Sequence, residues 1–382
     1  MLREIIKIIY LEPDYFFRNF LYKIFQILNS KIISISSGYS FLPSRLLIAL
    51  TAKCNLRCVM CSLYGKEGLL KKNPPSFLKD KDIEVKYLFK LIKDVSIFRP
   101  NIILTGGEPL LYKDWYGLAK YIREKKLRTF LATGGMLLEE NAEKIVDCID
   151  HIQISLDSGK SEIHDKSRGV KGSFEKIIRG IEKIDLIKKE KNFKKPFINI
   201  CCTITDINYK SLETIIEFFE DSKIEIREIA FQHLEFTDRE TLSEHKKIYR
   251  EKLDTSTDFW EGFTYKGDFE IPKLISKIKE IKERKNSKIV FRPDLRIDEI
   301  EEFYTSSKIP KRFLKKCLAP WQEAFILPDG SVWTCADYVV GNIKEESFLK
   351  IWNNEKYRKL RKTINKIKFF PICKTCASLY VY

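Results

Sequence analysis

Leu46-Leu47-Ile48-Ala49-Leu50-Thr51-Ala52-Lys53-Cys54-Asn55-Leu56-Arg57-Cys58-Val59-Met60-Cys61 is the stretch on which the fold turns. Residues 46–51 form a short apolar run that reads as a buried strand. Three cysteines follow it at C-x3-C-x2-C spacing. Thiolates this close together suit an iron–sulfur cluster. A fully ligated cubane takes one cysteine per iron, so three cysteines leave one iron open to an outside molecule. Tetrahedral zinc would need a fourth ligand nearby, and His151, His164, His233 and His245 all lie far along the chain. Asn55 and Arg57 interrupt the cysteines with polar groups, which argues against three buried apolar thiols.

Outward from Leu46 the pattern alternates. Strands are predicted at 46–51, 101–105, 128–132, 151–156, 197–204 and 224–231, and helices at 82–95, 114–125, 139–148, 173–189 and 208–221. Strand–helix alternation implies a parallel sheet with right-handed crossovers and chemistry at its carboxyl edge. The fold class is therefore α/β. Residues 236–312 are charged and mostly helical, with a strand expected at Lys288–Arg292, and read as a bridge.

A second motif follows the second strand. Gly106-Gly107-Glu108-Pro109 ends an apolar run; its glycines let backbone approach a ligand, and its acid can accept hydrogen bonds from an ammonium group. Together the two motifs resemble the radical S-adenosylmethionine (SAM) superfamily, and Met60 before the third cysteine suits that pattern. The resemblance implies a partial, TIM-like (β/α)6 barrel with a SAM-binding 4Fe–4S cluster on Cys54, Cys58 and Cys61. It also implies contacts from Gly106, Gly107 and Glu108 to the SAM amino group.

The C-terminal part resembles the SPASM extension of that superfamily. Cys317-Leu318-Ala319-Pro320-Trp321 opens it, and Pro328-Asp329-Gly330 is a turn between two β-rich runs, the second ending in Cys335. Ile351-Trp352-Asn353 precedes Cys373-Lys374-Thr375-Cys376. A zinc ribbon is the alternative for C-x2-C pairs. The resemblance implies one auxiliary 4Fe–4S cluster on Cys317, Cys335, Cys373 and Cys376, since the cysteines of a second are missing. It spans roughly residues 44–382, giving an N-terminal amphipathic helical segment (1–43), a radical SAM core (44–235), the helical bridge (236–312) and the small iron–sulfur extension (313–382).

Further site candidates are carried by the same resemblance. Ser155 would bind the SAM ribose or carboxylate, and Arg168, in an Arg-Gly pair, would hold the carboxylate; a surface arginine in a helix-opening loop is the alternative. Thr133-Gly134-Gly135 stands where relatives commonly have Thr-Asn-Gly. His233 and Glu235 follow the last barrel strand and are expected near the site, unless His233 is a satisfied structural histidine. In related dehydrogenases an acid directly after a cluster cysteine deprotonates the substrate. Here Ala336 follows Cys335, and Asp337 is the candidate general base.

Composition sets the remaining bounds. The chain has 382 residues, 44% of them hydrophobic, enough for one large domain and a small one. No secretory signal is visible, so disulfides are not expected and a reducing cytoplasm fits. Cys148, Cys201 and Cys202 read as core residues. The net charge of +16 comes from lysines scattered over nearly every predicted helix. The plain reading is solvated helix faces; the functional one is attraction to an acidic electron donor such as flavodoxin or ferredoxin, or to anionic lipid. No nucleic-acid motif accompanies the charge. Residues 1–43 carry apolar helical stripes that pack on the barrel or lie on a membrane surface.

The expected activity is hydrogen abstraction for oxidation or rearrangement of a small-molecule or lipid-linked substrate. A peptide maturase is the alternative, and the leader-binding domain such enzymes carry is expected to be missing. A non-catalytic iron–sulfur electron-transfer or scaffold protein would have no use for Gly106-Gly107-Glu108.

Overall fold

The computed structural model describes residues 38–41, 43–71, 82–256, 258–314, 316–335 and 338–381. Most of segment 1–43, for which helices are expected, and Asp337 lie outside these.

The core is built by period-two strands against apolar helix faces. In β1 (Arg45–Ala49) Leu46 and Ile48 are fully buried and alternate with half-buried Leu47 and Ala49. The same alternation runs through β2 (Asn101–Thr105), and β3 (Arg128–Thr133) and β4 (His151–Ser155) continue the sheet. Then come β5 (Phe197–Thr203) and β6 (Glu228–Gln232). Between them run α1 (Val85–Val95), α2 (Trp115–Glu124), α3 (Leu138–Cys148), α4 (Ser161–Arg168), α5 (Ser173–Glu190) and α6 (Glu213–Asp221). Leu88, Leu91, Ile92 and Val95 on α1, and Ile177, Ile181 and Ile184 on α5, pack against the buried strand positions. Each such side chain contributes about 2 kcal/mol relative to leaving it exposed.

The other face of the sheet is only half buried at Thr105, Ala132, Gln153, Ser155, Asn199, Thr203 and Gln232. Parallel strands are ordinarily buried on both faces. The open, mostly polar inner face is thus the space the partial barrel leaves for ligands.

The strand order is β10-β9-β8-β1-β2-β3-β4-β5-β6-β7, an open sheet. This enlarges the expected set of six strands. The strand foreseen in the bridge, β7 (Ile289–Arg292), is a parallel neighbour of β6. It is flanked by α7 (Arg239–Leu253), α8 (Ile271–Glu283) and α9 (Ile297–Thr305). At the opposite edge, β8 (Glu323–Ile326) pairs parallel with β1. The C-terminal extension therefore continues the barrel sheet instead of standing apart from it. The Pro328-Asp329-Gly330 turn forms as read: β9 (Ser331–Thr334) folds back antiparallel on β8, and Gly330 has φ +88°. β10 (Tyr338–Asn342) closes the meander, and α10 (Phe348–Ile351), α11 (Glu355–Ile367) and α12 (Ala377–Val381) complete it.

Two further differences are local. The predicted helix at 208–221 splits into a 3-10 turn at Tyr209–Ser211 and α6. Helix α4 stands where the strand and helix pattern predicts no element, although Lys166, Arg168 and the left-handed Gly169 mark a helix end.

The Trp352-Asn353 pair has a structural task. The indole N–H of Trp352 donates to the Phe41 carbonyl, and Asn353 exchanges hydrogen bonds with the Ser40 backbone. Fully buried Arg361 donates to the carbonyls of Gly38 and Pro320 and stacks on Trp352 and Tyr357. The chain entering β1 is thereby held to the extension.

Candidate active site

The cysteine loop leaves β1 at the carboxyl edge of the sheet and is held from two sides. On one side Gly107 N–H donates to the Thr51 carbonyl at 2.7 Å and Glu108 N–H to the Lys53 carbonyl at 2.7 Å. The two sequence motifs are thus fastened backbone to backbone. Glycine is needed for this approach: a Cβ on Gly107 would stand 2.2 Å from the Lys53 oxygen, and Gly106 has φ +137°. Gly107→Ala is expected to lower stability by roughly 1–3 kcal/mol through overpacking. It should also reduce iron loading, because the group that must yield is the backbone bearing Cys54; urea unfolding and iron assay measure both.

On the other side α4 supports the loop. Arg57 N–H donates to the Arg168 carbonyl and Val59 N–H to that of Ser167. The three thiols are free and half-buried. Backbone amides point at two of them: Leu56 N–H at Cys54 Sγ, and the N–H groups of Leu63 and Tyr64 at Cys61 Sγ, each at 3.4 Å. Cys58 Sγ receives the Arg168 Nη1 donor at 3.7 Å. Donors of this kind stabilise sulfur that carries negative charge, so the loop fits a thiolate-ligated cluster. Burial alone does the opposite, pushing the Cys54 thiol up to about 11 and raising Cys58. Loading iron therefore releases protons.

Arg168 is neither on the surface nor in a loop. It is buried at the last position of α4, with Nη2 2.6 Å from Asp157 Oδ1. Asp157, fully buried after β4, also accepts from Ser167 Oγ at 2.5 Å and Thr203 N–H at 3.1 Å. The Arg168 Nε donor is buried with no partner, which leaves one directed donor for an anionic ligand. Sequence reading passed over the role of Asp157; its signal was an acid just past a strand's carboxyl end.

Glu108 is fully buried, and the chain itself supplies its donors. Thr133 Oγ1 donates to both carboxylate oxygens at 2.8 and 2.9 Å, Leu110 N–H to Oε1, and Gly134 N–H to Oε2. Burial raises its carboxyl above the ordinary range, against these hydrogen bonds. About one of the roughly four lone-pair positions of a carboxylate remains for an incoming ammonium. Glycine at 134 is explained by packing: a Cβ there would meet Leu56 Cδ1 at 2.5 Å. Ser155 sits on the half-buried inner face, on the opposite side of β4 from buried Ile154.

The four later cysteines converge as the second set. Cys376 is within electrostatic reach of Cys373, Cys317 and Cys335, and burial followed by Glu235 and these sulfurs raises its thiol well above normal. Burial lifts Cys317 to about 12 and Cys373 to about 11. Phe370 N–H donates to Cys373 Sγ at 3.3 Å. Cys335 adopts φ +53°, a conformation that costs a non-glycine residue about 1–3 kcal/mol and is typical of functional sites. Among the described residues no three His, Cys, Asp or Glu groups are gathered as tightly as a single metal ion requires.

The structure separates His233 from Glu235. His233 is buried, its Nδ1 lies 2.9 Å from the Tyr304 hydroxyl, and burial lowers it to about 3. It is a neutral structural histidine. Glu235 points to the second cysteine set, accepting from Ala377 N–H at 2.5 Å, and burial raises it to about 7.

An open parallel α/β barrel with three cysteines at its carboxyl edge, and four more in the extension that continues its sheet, is the frame of an iron–sulfur enzyme. The chain belongs to the radical SAM superfamily. Residues 48–219 match the radical SAM family and residues 317–377 the SPASM iron–sulfur cluster-binding domain. An AdoMet-dependent heme synthase of Methanosarcina barkeri is 30% identical over 330 residues, 82% of this chain and 83% of that protein. The Fe-coproporphyrin III synthase of the same organism is 32% identical over 193 residues, 50% of this chain and 44% of that one. The chain thus aligns with less than half of the second relative. The solved structure of anSMEcpe with bound AdoMet superimposes with a TM-score of 0.55 at 20% identity, covering 87% of this chain and 88% of that one. The protein is accordingly a radical SAM/SPASM enzyme with a 4Fe–4S cluster, SAM and an auxiliary iron–sulfur cluster as cofactors, and it needs a reductant. Among the described residues no helix is long and apolar enough to cross a membrane.

Proposed function

We propose that this enzyme cleaves SAM reductively and oxidises or rearranges a small-molecule or lipid-linked substrate after hydrogen abstraction. The observation that supports this best is the joining of the cysteine loop to Gly107 and Glu108 by two backbone hydrogen bonds, as a site with cluster ligands beside amino-group acceptors would need. Cys54, Cys58 and Cys61 would hold the SAM cluster, and Gly106, Gly107 and Glu108 would receive the amino group. When bound, the cluster supplies the electron that splits the sulfonium into methionine and a 5′-deoxyadenosyl radical. Arg168 would turn its open Nε donor, and Ser155 its hydroxyl, to the carboxylate or ribose. The half-buried inner face, polar at Gln153, Asn199 and Gln232, would orient substrate, and the helices behind it exclude water. Cys317, Cys335, Cys373 and Cys376 would hold the auxiliary cluster, with Asp337 as general base. The net charge of +16 favours an acidic flavodoxin or ferredoxin as electron donor in the cytoplasm.

A metalloporphyrin substrate is the second reading, favoured by the heme synthase likeness over 82% of the chain. Anaerobically reconstituted enzyme with dithionite is expected to convert SAM to 5′-deoxyadenosine, measured by chromatography. No cleavage under any reducing condition would sink the proposal; stimulation by a metalloporphyrin would select the second reading.

A further inference from the structure

A cavity of about 250 Å3 opens where three segments meet: the chain following β6, the end of α9, and the Lys374-Thr375 step between Cys373 and Cys376. Its walls are tied together, since Thr375 Oγ1 donates to the Phe236 carbonyl and accepts from the Phe236 N–H. Its chemistry is unusual. Lys374 is only 7% exposed, and among the described residues no carboxylate is in ion-pair contact with it; Asp238 and Glu302 act on it only from a distance. The ammonium donates to the Ser306 carbonyl and lies 5.4 Å from the Phe236 ring and 5.8 Å from that of Phe303. Lys266 Nζ stands 5.7 Å from the same Phe236 ring, and its charge acts on Lys374. The carboxylate of the lining, Asp238, is turned to the backbone N–H and hydroxyl of Thr241 as the cap of α7.

A desolvated ammonium is costly unless an anion accompanies it, and an aromatic face offsets only part of that cost. Within the lining two cations stand against one committed carboxylate, Asp238, while Glu302 acts on Lys374 from outside it. The like charge of Lys266 adds to the demand for an anion, moderated by solvent because Lys266 is exposed.

We propose that this cavity is an oxyanion subsite in which Lys374 and Lys266 hold a carboxylate or phosphate group of the substrate. That the occupant is substrate rests on the enzymatic reading above; that the site takes an oxyanion does not. Because Lys374 lies between two cysteines of the second set, the acidic end of the substrate is seated against the auxiliary-cluster loop.

The test uses the anaerobically reconstituted full chain, with equilibrium dialysis of radiolabelled orthophosphate and competition by succinate. One saturable site per chain is expected, weakened roughly tenfold in Lys374→Gln and by a smaller factor in Lys266→Gln, as loss of a charge partner requires. Lys266 is exposed, so Lys266→Gln is expected to keep wild-type iron content and visible absorption and carries the test should Lys374→Gln lose iron. Binding of phosphate or succinate that both variants weaken supports the subsite, and the stronger competitor identifies the group. Equal binding in wild type and variants, or no saturable binding of either anion at millimolar concentration, overturns it. SAM cleavage is followed on the same preparation. Cleavage without anion binding overturns the subsite alone, whereas binding without cleavage overturns the enzymatic reading and leaves the subsite standing.

Discussion

Cys58→Ala is expected to abolish SAM cleavage and to remove about half of the iron, from roughly eight atoms per chain to roughly four. Cys58 is the middle cysteine of the loop, and two remaining thiolates would leave two irons of the first cluster without protein ligands. The loop itself should survive. Its shape is set by backbone hydrogen bonds from Arg57 and Val59 to α4 and by the Thr51 and Lys53 carbonyls, none of which involves the thiol. Arg168 also keeps its carboxylate partner Asp157, so no buried charge is orphaned. The unfolding midpoint should therefore move little, while 5′-deoxyadenosine formation falls below detection. Iron assay, electron paramagnetic resonance of the reduced protein and the cleavage assay read the three quantities separately. Full iron content with active cleavage in Cys58→Ala would remove the ligand assignment. Cys335→Ala gives the complementary case, losing auxiliary iron while the first cluster remains.

Asp157→Asn is expected to be the most destabilising conservative change in the molecule. Asp157 is fully buried and receives Arg168, Ser167 and the Thr203 amide at once. Removing its charge leaves a buried guanidinium uncompensated, which costs about 3–5 kcal/mol. It also sets an amide donor against groups that need an acceptor. Out of a total stability of roughly 5–15 kcal/mol this is a large share. The melting midpoint should fall by roughly 5–15 °C. The double variant Asp157→Leu with Arg168→Met removes both charges and should recover part of the loss, the Ser167 hydroxyl and Thr203 amide still lacking their acceptor. A midpoint for Asp157→Asn within about 1 °C of wild type would show that the pair is not desolvated as described.

The same pair explains what sequence reading could and could not reach. Arg168 is a candidate from its Arg-Gly neighbourhood alone, and the structure makes Gly169 the end of α4. Its partners, Asp157 eleven residues earlier and Cys58 on another loop, are brought to it only by parallel strands meeting at one edge. His233 shows the opposite case. Position after β6 suggested the site, but Tyr304 from the bridge takes its ring nitrogen. In the sequence Lys374 is only a residue between two cysteines. Its unusual state, a buried cation with no carboxylate in ion-pair contact, arises where Phe236 and Phe303 lie against it.

The linear sequence determined the chemistry and the period of the fold. Cysteine spacing, the Gly-Gly-Glu-Pro turn and alternating strands and helices are local features, written within a few residues of one another, and they fixed the cluster loop and the parallel core. Only tertiary structure decided the edges of the sheet and the state of each polar group. The pairing of β8 with β1 and of β7 with β6 joins segments far apart in the chain, and nothing local specifies a partner strand. Burial, which sets whether Glu108, Arg168 or Lys374 is solvated, paired or awaiting an anion, is likewise a property of the packed whole.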